Sequence, residues 1–276
     1  MEDRLVELLR YFELKAGVFQ KGPLCRTEDF DRQEGLGYIH VLQQGVLKVD
    51  SAAHPTLLID EPSLFLYMNP TAHRLTPQDQ QVEMVCASFQ FGLALHNPIA
   101  RALPNVVVIR LSDMPSLKMT LDLLFAEAAE HHCGQQAVLD RLMEVVIIQV
   151  LRDMMDQRRL EIGVLAGLAE PRLAKAINVM HAEPARAWSL EELAAVAGMS
   201  RARFATKFRD IVGIPPGSYL GEWRLVIAQS LLKQGKPVQL VSDLVGYASA
   251  SALSRAFRAQ LGESPKEWLK HHVSTN

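Results

Sequence analysis

The chain has 276 residues, of which 49% are hydrophobic and 22% charged, a composition typical of a globular protein large enough for two domains. Its three cysteines show no CxxC spacing, which argues against a disulfide framework or a zinc ribbon. No stretch resembles a signal peptide or a membrane span, so we expect a cytoplasmic protein without a membrane partner.

The net charge of −2 is divided unequally along the chain. Residues 170–276 contain 14 Lys+Arg and 9 Asp+Glu, which gives +5. Residues 1–169 contain the other 15 Lys+Arg and 22 Asp+Glu, which gives −7. A basic segment behind an acidic one indicates that the C-terminal part meets a polyanion.

Residues 1–115 have the pattern of a small β-barrel or sandwich. Short runs rich in Val, Ile, Leu, Phe and Tyr are separated by Gly, Pro, Asn and Asp. Within the first run, Gln43-Gln44-Gly45 predicts a hairpin turn. The predicted strand regions lie at 37–50, 56–70, 82–91 and 105–111.

After Pro115 the apolar spacing becomes helical. It predicts helices at 117–131 and 135–156, joined by a turn at Gly134. This hairpin, residues 116–162, either covers the barrel or forms a homodimer seam. The seam would use Leu121, Leu124, Phe125, Ile147 and Leu151.

Residues 163–171 have the pattern of a linker, and an internal repeat follows it. "GMSRARFATKFRDIVG" (198–213) is echoed by "GYASASALSRAFRAQLG" (246–262), with Phe208 aligned to Phe257. Each copy predicts helix, glycine turn and helix, which is a helix-turn-helix. The two units span about 189–212 and 238–261 of a domain over 171–272, and a long helix at 219–235 fixes their spacing.

Serines precede several of these helices. Ser189 and Glu192 form a capping-box pattern, and Ser200 and Ser249 are predicted to cap the second helix of each unit.

Helical periodicity separates a core face from an exposed face in each second helix. The core face carries Phe204, Phe208 and Ile211 in the first unit and Leu253, Phe257 and Leu261 in the second. The predicted DNA-binding residues are Ala202, Arg203, Ala205, Thr206 and Arg209, then Ala250, Ser251, Ser254, Arg255 and Arg258. Arg255 has the chemistry to pair with a guanine edge, whereas Arg209 and Arg258 suit phosphates.

Residues 171–270 strongly resemble the AraC/XylS family of bacterial transcription regulators. The matching stretches are "SLEELAAVAGMSRARFATKFRDIVGIPPGSYLGEWRL" and "VSDLVGYASASALSRAFRAQLGESPKEWL". The resemblance implies a sequence-specific regulator, expected to be an activator, with promoter DNA and RNA polymerase as partners. The base-facing residues that it implies are Ala202, Ala205, Thr206, Ala250, Ser251, Ser254 and Arg255.

Residues 15–115 resemble the branch of that family with a cupin-like sensor barrel. "GYIHVLQQGVLKV" is similar to its hairpin, and "LFLYMNPTAHRL" keeps only His73 of its Pro-x-Gly-x-x-His turn. The expected fold class is therefore α+β: a cupin-like barrel, a helical hairpin, and an all-α tandem helix-turn-helix domain.

Two kinds of sensing chemistry are open in the barrel. His40 and His73 supply only two imidazoles, fewer than a metal site needs, so we expect no metal or cofactor and assign them to a pocket for a small-molecule effector. Some regulators of the resembled branch respond to reactive chlorine through cysteines, and Cys25 and Cys86 lie at similar places. Oxidation to a Cys25–Cys86 disulfide is the second hypothesis.

Two other functions fit parts of the sequence. One is a cupin-type metal enzyme with a helical appendage, although no three-ligand set is visible. The other is a helical adaptor that binds protein. We expect a regulator and no enzymatic activity.

Overall fold

The computed structural model describes residues 3–12, 14–33, 35–91, 104–157, 160 and 162–273. The chain forms two compact units, Glu13–Arg159 and Met1–Phe12 together with Leu160–Asn276. The first unit carries the antiparallel sheets and a helical hairpin, and the second is all helical. The expected α+β class is confirmed.

Nine strands build the first unit among the described residues. They are β1 Leu14–Pro23, β2 Glu28–Phe30, β3 Gly37–Gln44, β4 Leu47–Ser51, β5 His54–Ile59, β6 Ser63–Tyr67, β7 His73–Pro77, β8 Glu83–Phe91 and β9 Val107–Arg110. One sheet has the order β1-β8-β3-β6-β9 and the other β2-β7-β4-β5. All pairings are antiparallel.

The core of this unit is shared by the two sheets. Alternate residues of β3 and β6, including Leu42 and Phe65, belong to one buried cluster with Leu47 of β4 and Leu75 of β7. Successive side chains of a strand point to opposite faces, so one apolar set from each sheet can meet between them.

The predicted hairpin over 37–50 is wrong. β3 pairs with β6 and β8, whereas β4 pairs with β5 and β7, so Gly45 turns the chain from one sheet into the other. Its φ is +92°, and a Cβ there would lie 2.6 Å from the Val82 Cα. Gly45 correctly indicates a turn, but the partner of each strand depends on the other strands of its sheet.

Two α-helices complete the described part of the first unit, close to their predicted bounds. They are α2 Lys118–Ala129 and α3 Gln135–Asp156. Asp140 of α3 accepts a hydrogen bond from the Val18 backbone N–H at 2.8 Å, which ties the hairpin to β1. The unit itself buries the seam candidates Leu121, Leu124, Ile147 and Leu151, and half-buries Phe125. The hairpin therefore covers the sheet.

The second unit contains nine helices among the described residues. They are α1 Val6–Tyr11, α4 Val164–Ala169, α5 Pro171–Ala182, α6 Leu190–Val196, α7 Arg201–Val212, α8 Pro216–Lys233, α9 Val238–Leu244, α10 Ala250–Leu261 and α11 Pro265–Val273. None of the described helices is long and apolar enough to cross a bilayer.

The predicted linker at 163–171 is wrong, because most of it is the buried helix α4. Gly167 lies so close to α5 and α7 that a Cβ would sit 2.7 Å from Ile177 Cδ1 and 2.8 Å from Val212 Cγ2. Glycines and alanines, which suggested a linker, serve here as close-packing residues.

Candidate nucleic-acid interface

α7 and α10 hold the predicted reading residues, and both helices are anchored by aromatic and aliphatic side chains. Phe204, Phe208, Leu253 and Phe257 are all 0% exposed. Val212, rather than the predicted Ile211, completes the buried face of α7. Leu261 of α10, also predicted to be a core residue, is only half-buried. The other core positions predicted from periodicity are buried, and they direct the opposite face of each helix outward.

The structure places the predicted DNA-binding residues on the outer faces of these helices. The exposed members are Ala202, Arg203, Thr206, Arg209, Ser251, Arg255 and Arg258, and the half-buried ones are Ala205, Ala250 and Ser254. Each face therefore carries three small residues and two arginines, but α7 offers one side-chain hydroxyl and α10 offers two.

Ion pairs divide the basic residues of α7 into two groups. Arg201 pairs with Glu191 at 3.0 Å, and Lys207 pairs with Glu170 at 2.6 Å. Arg203 and Arg209 form no ion pair with any residue that the structure describes, and the same holds for Arg255 and Arg258 of α10. Arg258 lies near enough to Glu267 to help lower the pKa of that carboxyl, after the hydrogen bonds from Ser264. Arg203, Arg209 and Arg255 coincide with predicted contact residues, and their charge is available to phosphates.

Glu170 was missed by sequence reasoning, although its place before Pro171 is a helix-start signal. Its carboxylate accepts the backbone N–H groups of Arg172 and Leu173, so it caps α5. Burial pushes its pKa up, but the Lys207 ammonium and the two N–H groups outweigh that effect and hold the pKa below its ordinary value. Glu170 therefore anchors α7 to α5.

The caps of the helix-turn-helix units agree with prediction in two places out of three. Ser189 and Glu192 form the predicted capping box, and Ser249 accepts from the Ala252 N–H at 3.2 Å. Ser200 occupies the N-cap position of α7, but its side chain makes no cap hydrogen bond. The predicted Ser200 cap is wrong.

An aromatic cluster behind the reading helices joins α5 to α8. His181 is hydrogen-bonded to the Tyr219 hydroxyl and stacks on Trp223 with ring centroids 3.9 Å apart. Burial lowers the pKa of His181 to about 3, so the imidazole is neutral at physiological pH. This cluster fixes α8, which connects the two helix-turn-helix units.

In the first compact unit, Glu13–Arg159, the His40 and His73 rings contact each other among aromatic side chains. Their Nε2 atoms are 2.8 Å apart, and His73 stacks between Phe30 and Tyr67. His73 Nδ1 lies 2.9 Å from the Thr71 carbonyl, which can only accept. His73 therefore carries its proton on Nδ1, and His40 donates from Nε2.

The electrostatics of this pair favour neutral rings. Burial lowers the pKa of His40 well below its ordinary value and that of His73 to about 4. The tautomers leave His40 Nδ1 as an acceptor, and it is buried without a partner among the described residues. The described residues contain no cluster of three His, Cys, Asp or Glu able to hold a metal ion.

The structure does not bring Cys25 and Cys86 together. Cys86 is buried in β8 opposite Gln20 and His40, whereas Cys25 is exposed just beyond the Pro23–Glu83 pair. Strand geometry puts them about 15 Å apart, well above the roughly 7 Å limit for a disulfide. Burial raises the pKa of the Cys86 thiol well above its ordinary value.

Two family models match the chain. A cupin model covers residues 3–156 and a helix-turn-helix domain model covers 193–271. A putative AraC-like transcription regulator from Streptomyces lividans is 31% identical over 70% of this chain and 65% of its own length. The RCS-specific HTH-type transcriptional activator RclR from Escherichia coli K12 is 28% identical over 83% of this chain and 82% of its own.

One solved structure of similar extent is ToxT from Vibrio cholerae O395. It matches 97% of this chain and 100% of its own with 13% identity and a TM-score of 0.43.

The chain spans about two thirds of the length of the first curated relatives that it matches, at 65% for the two Streptomyces proteins.

Proposed function

Because the chain belongs to the AraC family of transcription regulators, in the branch with an N-terminal cupin domain, we propose that it binds promoter DNA through α7 and α10. The observation that carries this proposal is the set of four exposed arginines, Arg203, Arg209, Arg255 and Arg258, on the outer faces of two duplicated helices. It acts in the cytoplasm, where promoter DNA lies.

The two helices make different contacts with DNA. α10 reads bases, because Arg255 can donate two hydrogen bonds to one guanine and Ser251 and Ser254 add shorter contacts. α7 contributes apolar contact to thymine methyls from Ala202 and Ala205 and phosphate contact from Arg209. Successive major-groove segments lie about 34 Å apart, so the full site covers two half-sites one helical turn apart.

Genome-wide crosslinking first identifies DNA segments that the protein binds. A footprint of the 276-residue chain on one of these segments then tests this function. We expect two protected segments about one helical turn apart, with affinity that falls steeply as salt rises. Protection without sequence preference would contradict specific recognition. A protein-binding adaptor would give no footprint at all.

The cupin unit controls this binding in response to a signal. We keep two signals: a small-molecule effector near His40 and His73, or oxidation of Cys25 and Cys86. The name of the Escherichia coli relative, an RCS-specific activator, supports the second. Because the cysteines are far apart in this conformation, their direct pairing requires β1 and β8 to rearrange.

Cysteine variants in a promoter-reporter strain separate the two signals. Under hypochlorous acid, Cys25→Ala and Cys86→Ala lose activation if oxidation is the signal. Cys133→Ala, which changes the third, exposed cysteine, is the matched control. Unchanged activation in both test variants rules out oxidation of Cys25 and Cys86 as the signal and leaves the effector.

The regulator acts as a homodimer through the outer face of its helical hairpin. Met119, Leu123, Val138 and Val145 are 85%, 53%, 40% and 42% exposed, an apolar set that supports association. Sedimentation of Leu123→Glu beside wild type tests this. A wild-type monomer at micromolar concentration would contradict it.

A further inference from the structure

A cleft in the all-helical unit lies beside the first reading helix. It has a volume of about 360 Å³ and opens between α6, α7 and the start of α8. Trp188, Leu190 and Leu193 line it from the side of α6, and Pro216 and Leu220 line it from α8. A cleft of this size with mostly apolar walls is typical of small-molecule sites.

The aromatic wall of the cleft is held in place. The Arg186 guanidinium lies 3.8 Å from the centroid of the Trp188 ring. The Trp188 Nε1–H donates a hydrogen bond to the Glu183 carbonyl at 3.2 Å. The indole is therefore positioned before any ligand binds.

The third side of the cleft belongs to the outer face of α7. Ala205, Thr206 and Arg209 line it, and all three are predicted DNA-contact residues. Arg209 is exposed and forms no ion pair with any residue that the structure describes. A molecule in the cleft would therefore cover part of the α7 face and meet a cation that no carboxylate neutralises.

The second helix-turn-helix unit has its own carboxylate at the corresponding place. At the repeat offset of 49, Arg258 matches Arg209 and Glu267 matches Ser218. The Glu267 carboxylate accepts a hydrogen bond from the Ser264 backbone N–H at 2.8 Å, at the start of α11. Arg258 is near enough to help lower the pKa of Glu267, after the hydrogen bonds from Ser264. A carboxylate thus occupies a helix start within the electrostatic reach of the equivalent arginine.

The first unit lacks this carboxylate. α8 has Pro215 as its N-cap and Pro216 as its first residue, and in the described structure no side chain caps it and no acidic residue lies in its first turn. The first N–H groups of a helix have no partner inside the helix and carry partial positive charge. None of the described residues that line the cleft is acidic. Arg209 and the start of α8 therefore face one cleft without a matching anion.

Gly217 keeps the cleft open on the side of α8. It lines the cleft, and a Cβ built on it would meet no atom within 4 Å. Gly221, one turn further along α8, has equal room for a Cβ but does not line the cleft. The two glycines therefore allow a substitution that fills the cleft and a matched control on the same helix.

We propose that this cleft binds a small aromatic carboxylate, which excludes DNA from α7. The apolar walls and the Trp188 indole contact the ring, and the carboxylate meets Arg209 and the first N–H groups of α8. The bound anion neutralises Arg209 and covers Thr206, so α7 loses its contacts with DNA. The inhibitory effect rests on the proposed DNA-binding function, whereas the binding of the carboxylate does not.

Isothermal titration calorimetry of the 276-residue chain with cinnamate tests the site without DNA, and neutral cinnamamide is the uncharged control. Wild type should bind cinnamate about tenfold more tightly than cinnamamide, because a charge-assisted hydrogen bond is made only by the acid. Arg209→Gln should weaken cinnamate binding about tenfold for the same reason. Gly217→Leu should abolish it, whereas Gly221→Leu should match wild type.

Equal cinnamate affinity in all four proteins, or no binding to wild type at millimolar cinnamate, would overturn the site. Far-UV circular dichroism checks that each variant keeps its helices. Arg209→Gln changes an exposed side chain, so it tests the site even if Gly217→Leu does not fold.

Competition on a DNA segment recovered by crosslinking tests the effect on DNA binding. Cinnamate should weaken the binding of wild type to DNA as it fills the cleft, and should leave the DNA binding of Gly217→Leu unaltered. Cinnamate binding without a change in DNA affinity, or equal inhibition of both proteins, would overturn the exclusion of DNA. If wild type binds no DNA, the proposed function fails, and calorimetry still decides whether the cleft is a carboxylate site.

Discussion

The first helix-turn-helix unit, α6 with α7, and the second, α9 with α10, share a core but differ at the reading face. Phe204 and Leu253, and Phe208 and Phe257, occupy equivalent buried positions. At the outer face, Thr206 of α7 corresponds to Arg255 of α10 at an offset of 49. The two units therefore keep the same buried positions and differ in the side chains on their outer faces.

The two units also differ in how tightly the turn between their helices is packed. Gly198 and Gly246 occupy the equivalent turns with φ of +63° and +80°. A Cβ on Gly198 would meet nothing within 4 Å, whereas one on Gly246 would lie 2.4 Å from the Ala185 carbonyl oxygen. The second turn is therefore packed against backbone and the first is open.

Alanine at the two turn glycines should give the largest difference between the units. Both substitutions incur about 1–2 kcal/mol for a left-handed conformation. Gly246→Ala adds an overpacking cost of about 1–3 kcal/mol, because backbone atoms of Ala185 cannot rotate away. Urea denaturation of the two variants measures this, and equal losses of unfolding free energy would show that Ala185 moves freely.

Acid should weaken the packing of α5 on α8, which His181 supports. His181, beside Tyr219, has a folded pKa of about 3 and an unfolded pKa of about 6.5, so the unfolded state binds the proton more readily. Stability is complete above about pH 6.5 and falls by about 1.4 kcal/mol per pH unit below it, until the pH reaches about 3.

The counterpart of Tyr219 in the second unit is Trp268, which packs on Phe257 and has no titrating group. The free energy of unfolding is measured against pH for wild type and His181→Gln. The two curves should diverge below about pH 6.5, by about 2 kcal/mol at pH 5. Parallel curves would mean that His181 takes up its proton as readily in the folded protein as in the unfolded one.

Arg255→Ala tests the difference in reading chemistry. We expect a loss of about 1–3 kcal/mol in binding and relaxed specificity at one base pair, because a bidentate guanine contact disappears. Thr206→Ala, the equivalent change in α7, should cost less, since a hydroxyl makes at most a single contact. Binding to a randomised operator library measures both, and a uniform loss on all sequences would make Arg255 a phosphate contact.

The N-cap serines of α7 and α10 should differ less in their contribution to stability. Ser249→Ala removes a hydrogen bond to the Ala252 N–H and should cost about 1 kcal/mol of stability. Ser200→Ala removes no cap bond and should change the free energy of unfolding by only a few tenths of a kcal/mol. Thermal unfolding of the two variants compares them, and equal shifts in Tm would place a cap at Ser200 in solution.

The sequence predicted the repeat well and the packing of the N-terminal helix α1 poorly, for a physical reason. Buried positions of α7 and α10 require apolar side chains at fixed helical spacing, so Phe204 and Phe257 are visible in any reading of the pattern. The docking of α1 on Trp223 links residues more than 200 positions apart, and no local signal encodes it. Gly45 and Gly167 illustrate the same limit, because what a glycine permits depends on the neighbour that approaches it.

Charge pairing within α7 gives the smallest predicted effect. Arg209→Ala removes a cation without an ion pair among the described residues, and the slope of log affinity against log salt should fall by about one. Arg201→Ala removes a cation already neutralised by Glu191 at 3.0 Å, and exposed pairs of that kind contribute about 0–1 kcal/mol, so the slope should stay the same. Titrations at several salt concentrations compare the two variants. If both slopes fell equally, the Glu191 pair would open on DNA, and α7 would contact phosphates over a wider face than its unpaired arginines indicate.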